Sequence, residues 1–446
     1  MFRKHKQILL LTWMFLLGTL VAGAQETMKL SLQDALKMAL QNNTNILNSE
    51  LDLKMAQKKV WETMSSGMPQ IDAKAAYSFY PKVPVLPASF FDPNADENAT
   101  IELMPKQNAV ADITVSQLIF SGSYIVGLQA TKVYYGLTQQ NHEKTKLDVT
   151  ETVVNTYHML QLAEESRKIL SQNLENINKT LYEITEMNKQ GFLEKTDVDQ
   201  LEVTANTIRN AMNQIDSNLD MGYRLLKIQL GMEEIAKIEL TDQMESGEAL
   251  TTSSTLLIAE QFNIDNNIDY QLIKTSEKAA QLDLKLAKAS YLPTLNGFYN
   301  HTEKLKAPLL DFQPKDLIGV NLNVPIFSSG HRSSIVAQKR MSVEKAQNTQ
   351  KFVANSLMMQ ASQYQNDVKL KLEKYLNQKK SAELSDDIYQ RTLEKYKQGM
   401  ASSMDLMTSQ NQYLTNLTDY YQSIYDLQGA KSKLEKLFNI NQEIEN

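Results

Sequence analysis

Two short stretches place a carboxylate at the same distance from a glycine. They read "KQGFLEKTD" at 189–197 and "KQGMASSMD" at 397–405, so that Asp197 and Asp405 each follow a glycine by six residues. A carboxylate in such a place can cap a helix, contact a partner, or form an acidic ring if several copies of the chain assemble around a pore. The choice among these roles depends on the elements around the two stretches.

Catalytic patterns are missing from the rest of the sequence. There is no HExxH pair, phosphate-binding glycine loop or GxSxG elbow, and there is no cysteine, which excludes disulfides and thiolate metal sites. The histidines are isolated from one another: His5, His142, His158, His301 and His331. The sequence therefore predicts a protein that is not an enzyme and that has no metal site and no cofactor.

The N-terminus is typical of an export signal. Arg3, Lys4 and Lys6 give a basic start, residues 8–20 are almost wholly apolar, and the small residues 22–24 suit cleavage. We predict a signal peptide at 1–24. The whole chain has a formal charge of −6, and losing this basic start makes it more acidic, which argues against nucleic acid as a partner.

Proline and period-two patterns divide the remainder. All 10 prolines lie between Pro69 and Pro105 or between Pro293 and Pro325, and the proline-free stretches suit long helices. Within the two windows, apolar and polar residues alternate, which predicts four strands with one apolar face each. We place these strands at about 70–80, 109–120, 294–302 and 317–327.

The two halves of the chain repeat each other. "ALKMALQNN" at 35–43 resembles "AEQFNIDNN" at 259–267, and "LIFSGS" at 118–123 resembles "PIFSSG" at 325–330. Helix, two strands, a long helix, the KQG turn and another long helix therefore occur twice. We predict a first repeat at 25–235 turning near 191, a linker at 236–255, a second repeat at 256–440 turning near 399, and a tail at 441–446.

Heptad spacing predicts that the long helices pack as coiled coils. Apolar residues step by three and four along both halves: Leu170, Leu174, Ile177, Leu181 and Ile184 in one, and Leu414, Leu417, Tyr421 and Ile424 in the other. Gly191 and Gly399 suit left-handed C-caps between helices, and Thr196 or Asp197 and Ser402 or Ser403 suit the N-caps that follow. Both aspartates could thus be caps only.

Amphipathic strands of about ten residues suit a membrane β-barrel, although a soluble sandwich packed on its own helices is an alternative. Four strands are too few to close a barrel, and unpaired strand edges are not tolerated in lipid. Several copies must then share one barrel, with eight strands from two copies or twelve from three. The residue pattern alone does not choose between these numbers.

The order of these elements, the doubled "IFSGS"/"IFSSG" junction and the doubled KQG…D motif resemble the TolC family of outer membrane efflux proteins from Leu32 to about Ile440. The resemblance implies a mainly α fold with a transmembrane β-barrel: a homotrimer in outer membrane lipid with a twelve-stranded barrel above a long periplasmic α-helical barrel. It also implies two partners, a periplasmic adaptor (membrane fusion protein) and an inner-membrane pump of the resistance-nodulation-division or ABC type.

The same resemblance assigns roles to the two turns. Gly191, Leu193, Thr196 and Asp197 match an adaptor-contact pattern at the periplasmic tip, which also includes Gly399. The second turn matches the tip that constricts the tunnel, with Asp405 in an acidic ring. This chain has Ala401 and Thr408 where well-known members have arginine and aspartate, so the expected gate consists of Asp405 with Met404, Met407 and Thr408.

Three kinds of protein are candidates. The first is a passive export duct, which serves either efflux or type I protein secretion. The second is a structural or adhesive surface coiled coil, and the third is a periplasmic adaptor, which would carry one hairpin and a lipoyl-like β-domain instead of a duplication. The four predicted strands disfavour the adhesive coiled coil, which predicts heptads without period-two windows.

Overall fold

The computed structural model describes residues 28–91, 93, 94, 96, 98–306 and 311–440, apart from the side chain at position 397. The predicted signal peptide at 1–24 and the predicted tail at 441–446 lie outside these residues. The described chain divides into two compact units. One contains 28–48, 143–267 and 356–440, and the other contains 49–142 and 268–355.

Helices account for most of the chain. They are α1 (Leu32–Asn42), α2 (Thr44–Ser65), α3 (Gly122–Lys189), α4 (Lys195–Gln229), α5 (Glu248–Ala259), α6 (Ile268–Ala289), α7 (His331–Lys397) and α8 (Ser403–Phe438). The two longest, α3 and α7, have 68 and 67 residues and contain no proline, as their length requires. Short 3-10 helices occur at Ala88–Phe90 and Ile264–Asn266.

The strands of the described residues form three sheets. They are β1 (Met28–Leu30), β2 (Gln70–Phe79), β3 (Val85–Pro87), β4 (Thr100–Glu102), β5 (Gln107–Ser121), β6 (Ile238–Leu240), β7 (Thr294–Lys304) and β8 (Asp316–Asn323). The main sheet has the order β2-β5-β7-β8 and is antiparallel throughout. The small sheets are a parallel pair β1-β6 and an antiparallel ribbon β3-β4.

The register of the main sheet aligns its apolar side chains on one face. Ile71 pairs with Val115, Val115 with Tyr299, and Tyr299 with Ile318. Many of these apolar side chains are exposed, including Ile71, Tyr77, Ile318 and Val320. The opposite face carries polar cross-strand bonds, in which Asn300 Nδ2 donates to Thr114 Oγ1 at 2.8 Å.

One strand end differs from the prediction, and two segments contain elements that were not predicted. The fourth strand was predicted to reach 327, but β8 ends at Asn323, two residues before Pro325, which has no N–H to donate to a ladder. The loop after β2 contains the ribbon β3-β4, which has too few residues to show a period. The predicted linker at 236–255 contains β6 and the start of α5.

Helices in the unit of residues 49–142 and 268–355 follow the order of the strands they adjoin. Tyr124 Oη on α3 donates to the Met64 carbonyl on α2 at 3.0 Å. Lys285 Nζ on α6 donates to Gln129 Oε1 on α3 at 2.8 Å. The ion pair between Lys339 on α7 and Asp283 on α6 measures 2.6 Å. The helices therefore lie in the order α2-α3-α6-α7, beside the sheet order β2-β5-β7-β8.

The other unit has an apolar core around β1 and β6. Leu30, Leu36, Leu160 and Leu226 are nearly inaccessible to solvent there. Tyr157 Oη donates to the Leu30 carbonyl at 3.0 Å, so the buried hydroxyl is satisfied. This core packs the start of α1 and the end of α4 against the middle of α3.

Two buried asparagines show the duplication at atomic detail. Asn43 Nδ2 donates to the Gln229 carbonyl at 2.7 Å, and Asn267 Nδ2 donates to the Leu437 carbonyl at 2.8 Å. These carbonyls lie at the ends of α4 and α8, where backbone acceptors have no partner inside the helix. The same side chain therefore performs the same task in both repeats.

Within the part of the chain that the structure describes, no helix combines the length and the apolar character that a membrane span requires.

Candidate functional site

The two KQG turns are helix C-caps of the same type. Gly191 and Gly399 have φ values of +80° and +72°, which glycine adopts without a side-chain clash. The amide of the residue after each glycine donates five residues back, from Phe192 to Met187 and from Met400 to Lys395, at 3.0 and 2.8 Å. This is the Schellman arrangement, and it ends α3 and α7 in the way that the glycines predict.

The second turn leads into a fully capped helix. Ser402 is the N-cap of α8, and its Oγ accepts the Asp405 amide at 3.1 Å. The Asp405 carboxylate accepts the Ser402 amide at 3.0 Å and the Ser402 hydroxyl at 2.7 Å. This capping box satisfies two amides at the start of the helix. The sequence predicted Ser402 or Ser403 as this N-cap, and the N-cap is Ser402.

The first turn has no such cap. The prediction of an N-cap at Thr196 or Asp197 is wrong, because α4 begins at Lys195 and its N-cap is Glu194, which makes no side-chain cap bond. Asp197 lies in the first turn of α4, at the position that Asp405 occupies in α8. Its carboxylate instead accepts the Ser403 hydroxyl at 2.6 Å, across to the other turn. Asp197 therefore links the two turns of one chain.

Apolar packing also joins the two turns. Ile177, Ile184, Leu201, Ala205 and Ile208 form a buried cluster between α3 and α4. Partly buried side chains from both hairpins pack against it, among them Leu193, Val198, Tyr396, Met407 and Leu414. Since Tyr396, Met407 and Leu414 belong to α7 and α8, the cluster is shared by both hairpins.

A buried polar pair lies farther along the same hairpins. Gln410 Nε2 on α8 donates to Asn173 Oδ1 on α3 at 3.1 Å, and the two residues are only 5% and 7% exposed. A polar pair inside a coiled-coil seam favours one register, because a slip leaves both amides buried without partners. Sequence reasoning missed this pair, since nothing local indicates that positions 173 and 410 meet.

The four predicted gate residues occupy three different environments. Asp405 is exposed and holds the capping box. Met404 is 51% exposed, and Thr408 is exposed with its hydroxyl donating to the Met404 carbonyl at 2.8 Å. Met407 turns away from them into the shared cluster, where its Sδ lies 3.6 Å from Thr204 Oγ1.

The five predicted adaptor-contact residues are less uniform than their sequence motif. Gly191, Thr196 and Gly399 are exposed, whereas Leu193 and Asp197 are half-buried. Four of the five belong to the first turn, and Gly399 belongs to the second. The Leu193 carbonyl accepts Asn188 Nδ2 at 2.7 Å, which fixes the turn from inside.

The most exposed apolar side chains of the turns are residues that sequence reasoning missed. Phe192 is 73% exposed and Met400 is 67% exposed, and each directly follows its turn glycine. A large apolar residue after a C-cap glycine often packs back on its helix. At both turns this side chain is instead exposed to solvent.

The electrostatics of the second turn follow from its cap. Hydrogen bonds from the Ser402 hydroxyl and amide hold the pKa of Asp405 below its ordinary value, because they stabilise the carboxylate. Burial raises the pKa of Tyr396 in the shared cluster, and the nearby charges of Asp197 and Glu183 raise it further. Asp405 is thus positioned to act as an anion near neutral pH.

Among the described residues, no three His, Asp or Glu side chains cluster as the ligands of a metal ion would. The chemistry that the turns offer is charge, hydrogen bonding and apolar contact.

Comparison with known proteins places the chain beside channels. The model of the family described as outer membrane efflux protein matches residues 35–224 and 264–439, one range in each repeat. Outer membrane protein TolC of Vibrio cholerae is 20% identical over 346 residues, which cover 76% of this chain and 74% of the relative.

Solved structures show the same fold. The outer membrane protein VceC of Vibrio cholerae superposes with a TM-score of 0.72 at 13% identity, covering 91% of this chain and 95% of VceC. The CmeC outer membrane channel of Campylobacter jejuni has a TM-score of 0.72 at 17% identity, covering 91% and 85% of the two chains.

Proposed function

Because this chain belongs to the outer membrane efflux protein family and is therefore an outer membrane protein, we propose that it is the passive duct of a tripartite export system. In this proposal, substrates arrive from a periplasmic adaptor and an inner-membrane pump and leave through the duct to the exterior. The energy comes from the pump. The duct itself catalyses no reaction, in keeping with its channel relatives.

The observation that carries this proposal is the open four-stranded sheet. β2 and β8 form its outer edges, and the exposed apolar face includes Ile71, Ile318 and Val320. In lipid, both edges need strand partners and the apolar face needs hydrocarbon contact. Three copies supply twelve strands, which suffice for a barrel wide enough to conduct solutes.

The KQG turns are the proposed inner end of the duct. We assign contact with the adaptor to the exposed surface of the first turn, with Gly191, Leu193, Thr196 and Asp197, and to Gly399 of the second. The adaptor is a membrane fusion protein, and the pump is of the resistance-nodulation-division or ABC type. The position of the turns supports this assignment, because they lie at the opposite ends of α3 and α7 from the junctions with the main sheet.

Asp405 is the proposed selective group of the tunnel mouth, with Met404 and Thr408 exposed beside it and Met407 packed behind them in the shared cluster. Three copies would bring three carboxylates into one ring, and such a ring favours cations. The capping box supports the proposal only in part, since it keeps Asp405 ionised but also explains the residue as a helix cap.

Membrane fractionation tests the duct. We expect the protein in outer membranes, running as an oligomer on gels without heating and as a monomer after heating. Purified protein in planar bilayers should give discrete conductance steps. A monomer without heating and without conductance would contradict the proposal.

Two variants separate the ring from the cap. Asp405→Asn removes the charge but keeps an acceptor for Ser402, and Ser402→Ala weakens the cap but keeps the charge. We expect cation selectivity to fall in Asp405→Asn and to persist in Ser402→Ala. Equal selectivity in all three proteins would leave Asp405 as a cap alone.

The cargo distinguishes efflux from type I secretion. Deleting the gene should sensitise cells to small toxic compounds if the duct serves efflux. Retention of one exported protein, without such sensitivity, would instead favour secretion.

A further inference from the structure

The helices α2 and α3 form a groove that begins beside the main sheet. Its volume is about 560 Å³, and its lining includes Lys58, Val60, Trp61, Met64, Lys132 and Tyr135. Ligand pockets of proteins typically have volumes of about 300–1,000 Å³, so the groove is large enough for an organic molecule. All of these residues belong to the unit of residues 49–142 and 268–355.

Two contacts between α2 and α3 define the two ends of the groove. Beside the sheet, Tyr124 Oη donates to the Met64 carbonyl at 3.0 Å, where β5 has just passed into α3. Farther from the sheet, Ser49 Oγ lies 2.7 Å from His142 Nδ1. The two helices are therefore antiparallel, and Met64 marks the end of the groove that is nearest to the sheet.

The lining of the groove changes from apolar to basic with distance from the sheet. Along α2, Met64 and Trp61 come first, Val60 follows, and Lys58 comes last. On α3, Lys132 lies about level with Lys58, as the two antiparallel contacts require. A molecule that matches this order has an apolar part near the sheet and an anionic part farther from it.

Neither lysine of the groove is neutralised by an ion pair. Lys58 and Lys132 are exposed, and no carboxylate among the described residues pairs with either of them. Lys59, in contrast, lies outside the lining of the groove and is paired with Glu62 at 2.7 Å. Two unpaired ammonium groups at one end of an apolar groove complement the charge of an anionic headgroup.

The apolar end of the groove continues into the apolar surface of the sheet. Met64 is 39% exposed, Met68 between α2 and β2 is 41% exposed, and Ile71 on β2 is 72% exposed. Trp61 itself is 57% exposed, and tryptophan is enriched where proteins cross the boundary between hydrocarbon and water. An acyl chain that covers the sheet can therefore continue into the groove without crossing a polar region.

We propose that this groove binds an anionic phospholipid from the leaflet of the outer membrane on the side of the helices. The ammonium groups of Lys58 and Lys132 bind its phosphate, while Trp61 and Met64 contact the beginning of its acyl chain. The inference goes beyond the duct proposed above, but it rests on the main sheet lying in the outer membrane.

The distance from the sheet suits this ligand. Lys58 lies six residues before Met64, which corresponds to about 9 Å along the helix axis. The polar layer of a bilayer extends roughly 5–8 Å beyond the hydrocarbon on each side. A lysine stem can carry its ammonium group back over the difference, as lysines beside membranes do. Both ammonium groups can thus reach a phosphate while the helices stay outside the hydrocarbon.

Trp61 is itself the probe for this site. The chain has two tryptophans, and the other is Trp13 in the predicted signal peptide. Protein purified from outer membranes is placed in vesicles with increasing fractions of phosphatidylglycerol that is brominated on its acyl chains, and a parallel series uses brominated phosphatidylcholine. Bromine quenches tryptophan fluorescence at close contact. We expect half-maximal quenching at a several-fold lower fraction of phosphatidylglycerol than of phosphatidylcholine, and Trp61→Phe should remove the quenched signal.

Two lysine variants and a matched control test the headgroup contact. Lys58→Gln and Lys132→Gln should each reduce the preference for phosphatidylglycerol by up to about fivefold, which is the contribution expected of one lysine at an anionic surface. Lys59→Gln removes the same charge from the same helix, but from a side chain outside the groove. This control should keep the preference of the natural protein.

The outcomes separate this site from the duct, because conductance and the heat-sensitive oligomer are measured on the same preparations. Equal quenching by the two lipids, or an equal loss of preference in Lys59→Gln and Lys58→Gln, would overturn the site while the duct stands. Quenching by neither lipid in a protein that assembles and conducts would place the groove away from lipid and would also overturn the site. A protein that neither assembles nor conducts would contradict both, since the site requires the main sheet to lie in lipid.

Discussion

The two turns share one backbone but use their aspartates differently. Both end a long helix with a left-handed glycine, and both place an aspartate in the first turn of the next helix. Asp405 bonds to its own N-cap residue, Ser402, whereas Asp197 bonds to Ser403 of the other hairpin. Duplication therefore preserved the geometry of the turn and allowed the carboxylate to take a second role.

The residue at the N-cap explains the difference. Ser402 has a short side chain whose hydroxyl accepts a hydrogen bond from the Asp405 amide. The same hydroxyl donates a hydrogen bond to the Asp405 carboxylate. Glu194 occupies the same place in the first copy and forms no cap. The carboxylate of Asp197 is then available to Ser403, whose counterpart in the first copy is Lys195. The N-cap residue thus influences whether the aspartate caps its own helix or links two hairpins.

The helix seams behind the turns differ in a second way. Aliphatic residues such as Ile177, Ile184 and Leu201 fill the seam of the first hairpin. In the second, Tyr375 stacks on Tyr420 and Tyr389 stacks on Tyr413, with ring centroids 5.8 and 5.7 Å apart. Tyrosine fills a seam with an apolar ring but carries a hydroxyl that needs a partner. Tyr375 finds one, because its hydroxyl accepts the Gly247 amide at 2.7 Å.

The largest effect is expected from the aliphatic seam. Ile184→Ala removes a side chain that is only 1% exposed and should lower the local stability of the first hairpin by about 2–5 kcal/mol. Amide hydrogen exchange near 191 measures this change. The control is Tyr182→Ala on the same helix, where the side chain is 69% exposed and the expected change is within about 0.5 kcal/mol. Equal effects would mean that the seam is not the stabilising element.

A smaller effect is expected from the cap. Ser402→Ala should destabilise the start of α8 by about 1 kcal/mol, because an amide loses its acceptor. Glu194→Ala at the equivalent place should change the start of α4 little, since Glu194 caps nothing. Amide exchange at the two helix starts compares them directly, and a larger loss in Glu194→Ala would reverse the comparison.

The smallest effect is a dependence on pH. The pKa of Asp405 is lowered in the folded protein, so its stabilisation is present above the unfolded pKa of about 3.9 and is lost as the pH falls through the folded pKa. Protection factors at the start of α8, corrected for intrinsic exchange, should fall over this acidic range. In Asp405→Asn they should fall less. The same decrease in both proteins would assign the effect to other groups.

Local patterns predicted much of this architecture. Alternation along 70–80 and 109–120 predicted β2 and β5, because a strand with one apolar face shows its period in its own residues. Gly191 and Gly399 predicted the C-caps, since a left-handed residue favours glycine whatever surrounds it. The similar stretches at 35–43 and 259–267 predicted the duplication, although they did not predict the bonds that Asn43 and Asn267 make.

Contacts between distant residues were not predictable in this way. The bond from Ser403 to Asp197 joins positions in different hairpins, and the Asn173–Gln410 pair does the same. Thr196 and Asp197 are favourable N-cap types, yet Glu194 is the N-cap, because the Schellman turn fixes where α4 begins. The proposed gate residues show a similar limit, since Met407 belongs to a cluster that only the packing of both hairpins creates.

A double-mutant cycle between Asp197 and Ser403 tests the central claim most directly. Asp197→Ala, Ser403→Ala and the double variant should show a coupling of about 1–2 kcal/mol in the local stability of the turns, because the bond involves a carboxylate. Repeating the cycle in Glu194→Ser should reduce the coupling toward zero, as the new cap attracts Asp197. A coupling near zero in the natural protein, or one unchanged by Glu194→Ser, would contradict the claim that the N-cap residue influences the role of the aspartate.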